Sequence, residues 1–207
     1  MNIVKKKRRN LFFGLVGLSL AVLMISALYL EEQKKQMKTE LVFQESEVLN
    51  LPVIERSEEL IEVPMKVNAE KVISFYAPEK EDNELMQAVS EYQGVWRPSQ
   101  SVCYSFSNKV FEVTAMVSGK VSEIYQDELM GKCVEVDCGN GLVITYQSLS
   151  NVNVILNQTV RQFDLIGLAG ENSYHSALGV HAQITAHLNG ELVDPEKLIH
   201  SKVSELN

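Results

Sequence analysis

An unbroken apolar run from Leu11 to Leu30 limits what this 207-residue chain can be more than any other feature of it. Its twenty residues, LFFGLVGLSLAVLMISALYL, carry no charge. At about 1.5 Å of rise per residue, a helix of that length reaches about 30 Å, the depth of a bilayer's hydrocarbon core. A cleavable leader has a shorter apolar stretch and a small-residue cleavage site, whereas here Glu31 and Glu32 follow directly. Residues 11–30 are therefore read as a single uncleaved transmembrane helix, an integral membrane anchor. Lys5, Lys6, Lys7, Arg8 and Arg9 precede it. By the positive-inside rule this basic tail, residues 1–10, stays in the cytoplasm and the remainder lies across the membrane. The formal net charge is −8, but the tail holds +5 and the apolar run none, which leaves −13 on everything beyond. So acidic a portion repels the phosphate backbone, so no nucleic acid is expected as a partner, and anionic lipid is disfavoured for the same reason.

Residues 31–63 are rich in Glu and Lys, lack Gly and contain Pro52, a composition that suits an extracytoplasmic stalk better than a core. Residues 64–98 lead into the domain. A first strand region is expected in MKVNAEKVISFYA, and Leu85, Met86, Val89 and Tyr92 at helical spacing predict one short helix over Asp82–Tyr92, ended by Gly94. After Phe106 the hydrophobic period changes to two. FEVTAMV, GKVSEIYQ, KCVEVDC, LVITYQSL, TVRQFDLIGLAG and VHAQITAHL read as short strands, broken by glycine-containing turns. In KCVEVDC, Val134 and Val136 point one way and Glu135 and Asp137 the other, the pattern of an antiparallel sheet with one wet face. The fold class is thus mainly β, with an antiparallel domain over residues 99–200. Cys133 and Cys138 sit about 16 Å apart along one strand, too far for a disulfide, whose Cα atoms lie within about 7 Å. Cys103, Cys133 and Cys138 are expected as free thiols.

The order of these strands resembles the LytM and lysostaphin type of zinc metallopeptidase, peptidase family M23. Three segments carry the resemblance: Ala115 to Val121, similar to an A-x-x-x-G-x-V strand motif; Val160 to Gly170, similar to V-x-x-x-x-x-I-G-x-x-G; and Gly179 to Pro195, where the family has H-x-H, a strand, a turn and D/N-P. The resemblance implies a duplicated hybrid motif-like sheet. It also implies where a zinc site would stand, because the family binds zinc through the His and Asp of H-x-G-φ-D, φ being apolar, and the second His of H-x-H. Here the first motif aligns with Ser99 to Cys103, so Ser99 stands at the His position and Cys103 at the Asp position; a one-residue shift would put Val102 there instead. Gln183 stands at the third ligand, and Ser148 where Tyr-x-His-Leu supplies a further active-site His. Of the five relic positions, Ser99, Cys103, Ser148, His181 and Gln183, only His181 matches. Catalytic zinc needs three good ligands and an open position. No catalytic residue, no metal ligand and no cofactor are therefore expected, zinc included, and the chain reads as a pseudo-peptidase. His181 and His187 share a strand face about 20 Å apart. His175 lies in a loop with no partner visible in the sequence, and His200 lies in the tail. All four are read as hydrogen-bonded or solvated.

Within the family a membrane-anchored, degenerate sporulation branch is more closely similar. Tyr146 to Ser150, YQSLS, resembles it, as do Phe111 to Val121 and Leu129 to Val136, and Ser at the first ligand position also occurs in that branch. Gln183 departs from it. The resemblance implies a scaffold in the forespore membrane that bridges to the mother-cell membrane by binding the extracytoplasmic domain of stage III sporulation protein AH or an equivalent, in an engulfment or channel complex. A homo-oligomeric ring and contact with peptidoglycan stay open at this point. Two other readings stay open as well: a degenerate LytM-domain regulator of a cell-wall hydrolase, and a divergent M23 metalloendopeptidase acting on peptidoglycan.

Overall fold

Alternation of buried and exposed residues, punctuated by two-residue turns, decides most of the architecture of the computed structural model, which describes residues 59–206. The strands are β1 (Glu70–Ile73), β2 (Val89–Tyr92), β3 (Val95–Pro98), β4 (Val102–Ser105), β5 (Glu112–Thr114), β6 (Gly119–Asp127) and β7 (Gly131–Gly139). They continue with β8 (Leu142–Val152), β9 (Thr159–Val160), β10 (Leu165–Ala169), β11 (Ala182–Leu188) and β12 (Glu191–Val193). Ten of these strands form one antiparallel sheet, ordered β1-β4-β11-β8-β7-β6-β9, with β10 joining β5 and β8, and β12 lying on β11. β2 and β3 form a separate hairpin. The only α-helices among the described residues are short: α1 (Asp82–Met86) and α2 (Pro195–Leu198), the latter capped by the Asp194 side chain, which accepts from Glu196 N–H.

Three hairpins are closed by the same device. Gln93-Gly94, Asn140-Gly141 and Asn189-Gly190 each have positive φ at both central positions, the type I′ geometry that matches the right-handed twist of the flanking strands. In β7, Val134 and Val136 are buried, Asp137 is exposed and Glu135 is intermediate, as the alternation in KCVEVDC predicts. The core gathers around the longest strand, β8, whose Leu142, Ile144 and Tyr146 are fully buried together with Val121, Ile166 and Ile184. Tyr146 also satisfies a buried donor: its hydroxyl accepts the Met116 N–H at 2.9 Å.

The structure departs from the sequence reading in three places. TVRQFDLIGLAG, read as one strand, is two: β9 pairs with β6, and after a turn β10 pairs with β5 and β8. The expected helix over Asp82–Tyr92 stops at Met86, and Val89–Tyr92 becomes β2, paired residue by residue with β3. No residue of α1 is buried, and a short helix with no packed face is marginal in water. The Gln93-Gly94 turn offers those residues a ladder instead. The predicted stalk, 31–63, also ends sooner. Ile61 is fully buried, its N–H donates to Ser201 O at 2.9 Å, and Glu62 N–H donates to Met116 O at 2.9 Å. Glu59 accepts from both the backbone and the hydroxyl of Ser118. Residues 59–63 thus belong to the domain, as does β1, which pairs with β4. The basic tail, the apolar run and the rest of the stalk lie outside the described residues, among which no helix is long and apolar enough to cross a membrane.

Ile61→Ala should therefore lower the unfolding free energy by about 2–5 kcal/mol, the range for truncating a buried Ile, measured by urea denaturation. A wild-type midpoint would return these residues to the stalk.

Candidate functional site

β11 lies between β4 and β8, and its register decides which side chains meet. Gln183 is directly opposite Cys103 on β4 and Gln147 on β8. Directly opposed residues in a ladder point to the same face, so Cys103 faces the same side as Gln183. Val102 instead opposes Ile184 and is buried in the hydrophobic core. Cys103 thus shares the face of Gln183, and Val102 does not. Ser148 sits where β8 changes partner: β8 pairs with β11 through Gln147 and with β10 from Leu149 onward. Ser148 is buried with φ at 60°, donates its N–H to Met130 O at 2.9 Å and its hydroxyl to Gly170 O at 3.2 Å. Gly170 N–H returns a bond to Ser148 O at 2.7 Å, and His181 N–H donates to Gly170 O at 2.8 Å. Ser148 and His181 are thereby tied through one glycine. Ser99 is buried, and its hydroxyl donates to Ser101 O at 2.9 Å. Ser99 and Gln183 line one cleft of about 680 Å³, with Ser101, Met130, Gln147 and His187 on its walls.

The residue that completes this site is His175, whose side-chain partners stand on three separate strands. The loop between β10 and β11 is held to the β6–β7 turn by Ser173 and Tyr174, both of whose N–H groups donate to Leu129 O at 3.0 Å. Asn172 Oδ1 accepts the His175 N–H at 2.7 Å, which turns the imidazole inward. His175 Nδ1 donates to Gln183 Oε1 at 3.1 Å and lies 3.9 Å from Cys103 Sγ; Nε2 accepts from Ser90 Oγ at 2.9 Å. Asn172 donates to the same Gln183 oxygen at 3.1 Å. Tyr174 lies edge-on to the His175 ring at 4.6 Å and stacks on Tyr92 of the hairpin at 5.2 Å. His181 contributes its Nδ1–H to Gly179 O at 2.8 Å, and its ring lies 5.8 Å from that of His175. No local pattern around His175 marks it in the sequence, because its partners come from β2, β4 and β11. His200 is apart from all this, exposed and 3.6 Å from Glu62.

Burial sets the ionisation of the cluster. It pushes the Cys103 thiol up to about 12, a bond with Ser101 opposing it. It lowers His175 to about 4, opposed by the bond to Gln183 and helped by the neighbouring His181. Burial lowers His181 too, against its bond to Gly179. Near neutral pH the site is therefore an uncharged thiol beside two neutral imidazoles. The three cysteines are all free.

A model of peptidase family M23 matches residues 102–195, from β4 into α2. Stage II sporulation protein Q of Bacillus subtilis (strain 168) is 30% identical over 140 residues, 67% of this chain and 50% of that protein. A chain in the structure of the SpoIIQ–SpoIIIAH pore forming complex is 30% identical, with a TM-score of 0.68 over 72% of this chain and 96% of that one. The chain belongs to peptidase family M23, in its SpoIIQ-like branch. The catalytic domain of lysostaphin from Staphylococcus simulans, at 21% identity, shares the fold with a TM-score of 0.50 over 63% of this chain and 91% of that domain. The M23 domain here is accordingly mainly antiparallel β, LytM-like, with few helices. The chain spans about half the length of the curated relative it matches.

The lowered histidine gives this M23 domain a pH dependence with a definite sign. His175 titrates near 6.5 when unfolded and near 4 when folded, so between those values the unfolded state binds more protons and stability falls as pH drops. Urea denaturation with a chelator present should show a lower unfolding free energy at about pH 5 than at about pH 7, and His175→Gln should flatten the difference. An unchanged slope in that variant would mean the ring is protonated or exposed in the native state.

Proposed function

We infer that the chain is a non-catalytic sporulation scaffold, anchored by residues 11–30 with its C-terminal domain extracytoplasmic. It bridges the forespore and mother-cell membranes by binding the extracytoplasmic domain of a SpoIIIAH-type partner. The observation that carries this reading is the 30% identity, spanning 96% of the matched chain, to a component of the SpoIIQ–SpoIIIAH pore forming complex. The acidic balance beyond the anchor and the pentabasic leader agree with the topology.

The site chemistry supports a role without hydrolysis. At the three relic ligand positions stand a hydroxyl, a thiol and an amide oxygen, from Ser99, Cys103 and Gln183. Two of these, Ser99 and Gln183, are neutral oxygens already committed to hydrogen bonds, and the His175 ring contacts Gln183 at 3.1 Å and Cys103 at 3.9 Å. This set does not fit the family's catalytic zinc, which takes three strong ligands and keeps a fourth position open for water. Ser148, at the second active-site His position, is buried in backbone bonds to Gly170. A protein partner needs none of these groups. β1 and β9 end the strand order of the sheet, and a strand edge is a ready template for pairing with another chain.

Full-length protein in detergent should bind the purified extracytoplasmic domain of a SpoIIIAH-type protein saturably, measured by biolayer interferometry. His181→Gln should bind with unchanged affinity, because the relic site takes no part. Absence of binding would overturn the scaffold reading, and stimulation of a cell-wall hydrolase by the same preparation would replace it with the regulator reading.

A further inference from the structure

Three donor groups converge beside the cleft, one at a ligand position of the family and two outside its ligand pattern. Cys103, His175 and His181 each present one ligand atom, and these atoms lie within 4.8 Å of one another. All three residues are buried: Cys103 and His181 are 0% exposed and His175 6%. The decisive observation is at His181. Its Nδ1–H is spent on Gly179 O at 2.8 Å, which leaves Nε2 as a bare acceptor, and that buried atom has no hydrogen-bond partner. Buried polar atoms without partners are rare in folded proteins. A ring whose far N–H donates to a backbone carbonyl is also the usual arrangement of a metal-ligating histidine.

We propose that Cys103 Sγ, His175 Nδ1 and His181 Nε2 form a closed binding site for a borderline-soft divalent cation of the Zn²⁺ class, with Gln183 Oε1 as the fourth ligand. A tetrahedral ion with a metal–sulfur bond of about 2.3 Å and metal–nitrogen bonds of about 2.0 Å holds its ligand atoms about 3.3–3.6 Å apart. Here Sγ and Nδ1 of His175 are 3.9 Å apart, Nδ1 and Gln183 Oε1 3.1 Å, and the sulfur and nitrogen donors all lie within 4.8 Å of one another, so the donors close in by about 1.5 Å at most on binding. One thiolate with two imidazoles selects this class of cation over Mg²⁺ or Ca²⁺. On binding, the Cys103 thiol forms the metal–sulfur bond and releases one proton to solvent. His175 stays neutral by shifting its proton from Nδ1 to Nε2, whose N–H then donates a hydrogen bond to Ser90 Oγ, 2.9 Å away and itself buried.

The site differs from the family's catalytic arrangement in ligands and in purpose. It keeps two of the family's ligand positions, now Cys103 and Gln183, adds the relic active-site His and a loop His, and fills all four positions with protein. A closed site of this kind is structural: it clasps the loop that carries His175 onto β4 and onto the residue preceding β11. It goes beyond the scaffold reading and does not depend on it, since the site would form with or without a partner.

Titration of metal-stripped full-length protein in detergent with Co²⁺ tests it. One equivalent should give the thiolate-to-cobalt charge-transfer band and the intense visible bands of tetrahedral cobalt. Cys103→Ser should abolish the charge-transfer band although Cys133 and Cys138 remain. Ser90→Ala, which keeps every donor and removes only the hydrogen bond that orients His175, should bind about 10- to 100-fold more weakly. Circular dichroism reports whether each variant is folded. No thiolate band in the wild-type protein, a band that persists in Cys103→Ser, or unchanged affinity in His175→Gln would overturn the site.

Discussion

The placement of β11 between β4 and β8 is the constraint on which the rest of the site depends. With Gln183 opposite both Cys103 and Gln147, odd-numbered residues of β11 face the cleft, while Ile184 and Ala186 are buried in the core. A slip of one residue would send every one of these side chains to the other face. The core leaves no room for that slip: Ile184 lies between Val102 and Tyr146, its partners across the two ladders, and all three are buried. Chemistry at the cleft and packing beneath it are thus two consequences of one register.

The same ladder holds the M23 fold together independently of the groups at the cleft. Stability comes from Val, Ile and Tyr side chains on the buried face and from type I′ turns at the hairpin ends. None of these needs a metal. Ser99, on the cleft wall, and the buried Ser148 hydrogen-bond to the backbone framework, donating to Ser101 O and Gly170 O. His175 ties the loop between β10 and β11 to Gln183 and to Ser90 of the β2–β3 hairpin. The cleft has thereby become a junction between three parts of the domain.

Much of this was legible in the sequence, because its signals were local. Alternation in KCVEVDC placed Val134 and Val136 in the core, the Gly-containing turns marked hairpin ends, and motif spacing brought Cys103, Ser148, His181 and Gln183 into consideration. What escaped was set by tertiary partners. The helix read over Asp82–Tyr92 lost its second half because Gln93-Gly94 closes a hairpin. Ile61 looked like part of a tether because its hydrogen-bond partner, Ser201, stands at the far end of the chain. His175 showed no periodicity and no motif, since its neighbours Ser90, Cys103 and Gln183 come from three separate strands.

The central claim is that this M23 domain binds rather than cuts. Its most direct test is incubation of the full-length protein with purified peptidoglycan and added Zn²⁺, with released muropeptides followed by chromatography. The account predicts no release above the protein-free control at any zinc concentration. Zinc-dependent release that disappears in His181→Gln would contradict it, and would mean that the relic histidine still serves hydrolysis.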